Sequence, residues 1–98
     1  MNVQSFTPAQ NKTISASTSS ASQSFTGGAI TTTQVMISNE TTSTAYVRWG
    51  VGAQTAVNTD TPVLGGTVQI FNKGLADTVA VILATGSGNV YITAGEGQ

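Results

Sequence analysis

The sequence predicts an all-β domain: a small two-sheet β-sandwich, jelly-roll-like, of seven or eight short antiparallel strands. Three observations predict it. Apolar residues recur with a period of two, and no window of a dozen residues carries the i, i+3, i+4, i+7 spacing of an amphipathic helix. Thr, Val, Ile and aromatic residues, whose branched or planar side chains fit a pleated surface, cluster between Gly, Asn and Pro. The candidate strands are short and recur roughly every eight to twelve residues, which suits a sandwich or small barrel better than one open sheet.

Residues 1–11 contain Pro8 and, as large apolar groups, Val3 and Phe6, so they are expected to form an extended arm outside a domain spanning 12–98. From Lys12 to Phe25, Ile14 and Ala16 alternate with hydroxyls. The stretch fits one or two edge strands, and its Ser-rich composition fits a linker equally well. Gly27-Gly28 marks a turn. Thr33 to Ser38 follows as a strand with Val35 and Ile37 on one face and Met36 on the other. A polar turn leads to Thr44 to Trp49, where Ala45, Val47 and Trp49 alternate against Tyr46 and Arg48, and the two strands are expected to pair as a hairpin.

Gln54 to Val57 is a candidate short strand before the loop at Asn58 to Pro62, and Thr67 to Asn72 places Val68 and Ile70 on one face. Thr78 to Thr85 is apolar on both faces and is expected at the centre of a sheet. Gly86-Ser87-Gly88 reads as a hairpin turn into Asn89 to Thr93, with Val90 and Ile92 inward.

At 98 residues there is room for one core, and without disulfides such a domain is marginal enough to gain from assembly. Charged residues make up 7% of the chain, against roughly 25% in an ordinary soluble protein. Its 10 Ser and 17 Thr must therefore supply much of the surface. A net charge of −1 gives no basic field for phosphates, so duplex nucleic acid is not an expected partner. The most apolar run, Val79 to Ala84, is far shorter than the roughly 20 residues that span a bilayer, and no membrane is expected. With no leader-like run at Met1 to Phe6, synthesis in the cytoplasm is expected.

Histidine and cysteine are absent, which removes the commonest general base, thiol nucleophiles and most zinc or copper ligands. Only Lys12 or Lys73 remains as a base for a Ser or Thr nucleophile. The carboxylates Glu40, Asp60, Asp77 and Glu96 fall in expected turns or at the C-terminus, with no spacing that makes a glycosidase pair. Asn58-Thr59-Asp60-Thr61 lacks the alternating acidic residues of a calcium loop and reads as an Asx-type turn. No catalytic residue, cofactor or metal site is expected. The triplets Asn11-Lys12-Thr13 and Asn39-Glu40-Thr41 resemble glycosylation acceptors, as chance produces in a Thr-rich chain.

The aromatics offer another kind of site. Alternation places Trp49 with Val47 in the core, while Tyr46, Phe71 and Tyr91 are expected to point away from their strands' aliphatic faces. Together with Phe6 of the arm they are the candidate protein interface. A carbohydrate- or receptor-binding module would use Tyr46, Phe71 or Tyr91 as a stacking platform.

Four segments carry a resemblance: Val35-Met36-Ile37-Ser38-Asn39, Ala45-Tyr46-Val47-Arg48-Trp49-Gly50, Thr61-Pro62-Val63-Leu64-Gly65-Gly66-Thr67-Val68, and Asn89-Val90-Tyr91-Ile92-Thr93-Ala94-Gly95-Glu96-Gly97. Across roughly residues 30 to 97 the chain resembles small virion structural proteins of tailed phages, of the capsid cement or decoration type. The resemblance implies a non-enzymatic β-sandwich that binds major capsid protein subunits on the outside of the virion as a symmetric oligomer. Unpaired sandwich edges and outward aromatics make a homotrimer the expected state. The Ser/Thr-rich residues 1 to 25 depart from that pattern.

Overall fold

The computed structural model describes residues 6–97. Eight strands follow in order: β1 (Phe6–Ala16), β2 (Ala21–Ser24), β3 (Gln34–Asn39), β4 (Ala45–Gly50), β5 (Thr61–Val63), β6 (Val68–Asn72), β7 (Thr78–Leu83) and β8 (Gly88–Gly97). One turn of 3₁₀ helix, Gly27–Thr31, precedes β3. Sheet A has the order β1-β8-β3-β6 and sheet B the order β2-β7-β4-β5.

Four antiparallel pairs nest inside one another: β1 with β8, β2 with β7, β3 with β6, and β4 with β5. The chain is thus one long hairpin with its tip between β4 and β5. Rolled up so that successive pairs alternate between sheets, and sealed by the β3–β8 and β4–β7 ladders, it forms an eight-stranded jelly roll. β7 is central, as its two apolar faces predicted.

The core is aliphatic. Ile14, Val35, Ile37, Val90 and Ile92 from sheet A meet Val47, Val63, Val79, Val81 and Leu83 from sheet B, with Phe25 closing one end. β-branched side chains dominate because short strands must fill the space between sheets roughly 10 Å apart with compact, rotamer-poor groups.

Several expectations are corrected. Phe6 to Asn11 are not an arm: they pair with β8 from Gly97 to Thr93, with a register shift between Pro8 and Gln10. An edge strand accepts a proline at an irregular position, because a missing ladder donor costs little there. Met1 to Ser5 lie outside the described residues. The Ser-rich stretch is β1 and β2 rather than linker.

β3 and β4 do not form a hairpin, nor do β7 and β8; each connection crosses from one sheet to the other. Gln54 to Val57 is not a strand. It belongs to the long β4–β5 connection, whose Ala56 N–H donates to Ser20 Oγ beside β2. Glu96 lies within β8, where Thr33 donates to both its carboxylate oxygens.

Each end of the sandwich is organised by one buried polar side chain. At the first end Asn39 is fully buried; its amide donates to Ser43 O and Val63 O, and its Oδ1 accepts from Thr41 N and Thr41 Oγ1. All of its hydrogen-bonding capacity is spent, so the Asn39-Glu40-Thr41 triplet cannot present its amide to a glycosyl donor. At the other end Lys73 is 5% exposed, and its Nζ donates to Thr32 O at 2.7 Å and Ala76 O at 2.9 Å, with longer contacts to Ile30 O and Gly74 O. The ammonium also sits 5.8 Å from the Phe25 ring centroid. Burial pushes the Lys73 pKa below 10.5, against the pull of the Glu96 and Asp77 carboxylates.

Candidate interaction face

The two sheets differ in how their outer faces are covered. The β4–β5 connection runs over sheet B, so that Ala80, on the outward side of β7, is fully buried. Asp60 pins this connection: its Oδ2 accepts from Val57 N–H at 2.8 Å, and its Oδ1 meets Arg48 Nη2 at 3.1 Å. The Asp60 turn is therefore held by side-chain bonding, and a turn is what the sequence predicts there. Between the connection and the sheet lies a pocket of about 470 Å³ lined by residues that include Thr18, Tyr46, Asn58 and Ile82.

No segment among the described residues crosses the outer face of sheet A. Its register aligns Thr13, Tyr91, Ser38 and Val68 in one row and Asn11, Thr93, Met36 and Ile70 in the next. Gly95, Gln34 and Asn72 form a third row, and Ser15 and Asn89 lie at the other end. None of these residues is charged. Tyr91, Met36 and Ile70 are half-buried and Val68 is 51% exposed, which makes an apolar centre within a rim of hydroxyls and amides.

Of the charges close to this sheet, Glu40 stands at the rim, where Ser38 Oγ donates to its Oε2 at 2.8 Å, and the others are turned elsewhere. Lys12 pairs with inward-facing Ile92, Glu96 is held by Thr33, and Lys73 is buried among carbonyls. Thr93 Oγ1 donates to Asn11 Oδ1 and ties the rim together. The result is a face suited to close contact with another protein surface, since docking at its centre desolvates no charge.

The four expected interface aromatics do not share one surface. Tyr91 lies on the outer face of sheet A and Tyr46 on that of sheet B, both opposite their aliphatic neighbours as predicted. Phe71 is corrected: it aligns with buried Val35 and points between the sheets, while Val68 and Ile70 point out. Phe71 meets Trp49 across the gap, ring centroids 5.0 Å apart and tilted by 37°. Trp49 faces the core as expected but stays half-buried, because β5 pairs with β4 only from Ala45 to Val47 and leaves the indole at an open flank. Phe6 opens β1 opposite Gly97, and its side chain lies outside the described part of the structure.

Met36, Val68 and Ile70 were not expected at an interface. Met36 had a signal, being out of phase with Val35 and Ile37. The apolar run Ile70-Phe71 has no such signal, since alternation alone fits either residue facing inward. No protein-family model matches the chain, and neither does any curated protein.

Proposed function

We propose that the chain is a non-enzymatic virion structural protein of a tailed phage, cementing or decorating the capsid by docking the outer face of sheet A on major capsid protein subunits. The observation that carries this reading is a face whose outward strand residues are all uncharged, with its apolar centre at Met36, Val68, Ile70 and Tyr91 and the one neighbouring carboxylate, Glu40, at the rim. Among the described residues nothing crosses it, and it is rimmed by Thr, Ser and Asn, which can bond to a partner's main chain. The resemblance of residues 30 to 97 to phage cement proteins supports major capsid protein as the partner. The jelly roll supports it by analogy alone, since that architecture serves capsid and lectin domains alike. A symmetric lattice would multiply individually weak contacts of this kind into firm attachment.

The test is co-sedimentation of the purified protein with capsids of its own phage that lack it. Saturable binding supports the proposal, and a wild-type chain left in the supernatant rejects it.

The pocket at Tyr46 favours a second reading, a carbohydrate-binding module. A phenol, an amide and a hydroxyl border an apolar floor, and none of the three side chains has a hydrogen-bond partner among the described residues. A glycan array separates the two: specific binding lost in Tyr46→Ala argues for the module, and an array without signal argues against it.

A further inference from the structure

Among the described residues the jelly roll leaves four strand edges open, and three of them are blunted. β1 carries Pro8 beside a register shift and an inward-turned Lys12. β2 has four residues and β5 three, with Pro62 in the middle. Such features are what keep an edge from recruiting another strand. β6 has none of them: Val68-Gln69-Ile70-Phe71-Asn72 is uninterrupted, uncharged and free of proline.

The ladder fixes which of its groups are free. Asn39 N–H bonds Thr67 O and Lys73 N–H bonds Thr33 O, so residues 67, 69, 71 and 73 direct their main-chain groups toward β3. By alternation, the N–H and C=O of Val68, Ile70 and Asn72 point away from the sheet.

We infer that β6 pairs with β6 of a second copy of this chain, antiparallel about a two-fold axis at Ile70, to make one eight-stranded sheet from two copies of sheet A. In that register Ile70 opposes Ile70 and Val68 opposes Asn72, and all the outward groups are used in about six main-chain hydrogen bonds. A two-fold axis brings each residue near its own copy, so a charge there would repel itself, and β6 has none. The axis also sets Val68 and Ile70 of both copies side by side, extending the apolar centre of the outer face. The pairing consumes β6 in an isologous contact and gives a dimer, in place of the trimer expected from sequence. It does not depend on capsid binding, because it is read on the isolated protein.

The test is sedimentation equilibrium of the purified chain, with Ile70→Lys, Ile70→Glu and their equimolar mixture. Each variant places like charges across the axis, and the mixture places opposite ones. Wild type is expected to reach twice the 9.9 kDa mass by about 0.5 mM, as a small contact allows. Each variant alone should stay monomeric, and the mixture should recover the dimer. Amide exchange on the wild type gives a reading independent of variant folding: the N–H groups of Val68, Ile70 and Asn72 should slow about tenfold or more from dilute to concentrated protein. A wild-type monomer or trimer, a dimer that survives Ile70→Lys, or amides at 68, 70 and 72 whose exchange ignores concentration overturns the inference.

Discussion

Asn39→Ala should cost about 2 to 4 kcal/mol in chemical denaturation, because it removes the side-chain partner of Val63 O and of the Thr41 N–H inside the protein and leaves Ser43 O with Thr41 Oγ1 alone. Gly65→Ala should be similarly damaging for another reason: a Cβ there would stand 2.8 Å from Thr41 O and 2.8 Å from the Thr42 carbonyl carbon, both backbone atoms that cannot move aside. Lys73→Met removes the donor shared by the Thr32 and Ala76 carbonyls and is expected to destabilise by about 2 to 4 kcal/mol at neutral pH. The wild-type chain should also carry a pH signature that the methionine variant lacks. With its folded pKa below 10.5, Lys73 holds its proton less tightly in the folded than in the unfolded chain. Stability from this group is complete above 10.5 and declines as pH falls through the folded value, so the wild-type advantage over Lys73→Met should widen as pH rises toward 10.5. An advantage that narrows over that range would reverse the assigned direction.

β1 is where sequence and structure part most clearly among the elements. Residues Phe6 to Asn11 have little apolar content of their own, and their strand state comes from main-chain pairing to β8, a partner more than 80 residues distant that no local pattern announces. Deleting residues 1–11 should therefore lower the melting temperature by more than about 10 °C, since it uncovers half of a central strand. An unchanged melting curve would restore the arm. β7 and β8, in contrast, were legible, because their apolar residues are dense enough to fix both strand and facing. The connections were not: a polar turn between two strands reads the same whether it closes a hairpin or crosses between sheets, and Asn39 settles the matter only through bonds to residues 43 and 63. At the open flank, Trp49→Ala should cost about 2 to 3 kcal/mol, below the full-burial figure, because part of the indole already meets solvent. As the sole tryptophan, it should also report a partly solvated environment in its emission spectrum.

At the scale of the whole molecule, composition made the charge-poor surface readable, but not where that surface would gather. Three cations and four anions can be scattered or segregated, and only the rolled topology keeps them off the outward positions of one sheet, with Glu40 at its rim beside Ser38. The proposal that this face meets the capsid rests on that segregation. The most direct test compares capsid co-sedimentation of wild type with Met36→Glu, at the centre of the sheet A face, and Ser22→Glu, on the outer face of sheet B. Met36→Glu should weaken binding by about tenfold or more, Ser22→Glu should leave it unchanged, and a rise from about 0.1 to 0.5 M salt should alter the wild-type affinity by less than about tenfold. Full binding by Met36→Glu, or loss confined to Ser22→Glu, would contradict the proposal.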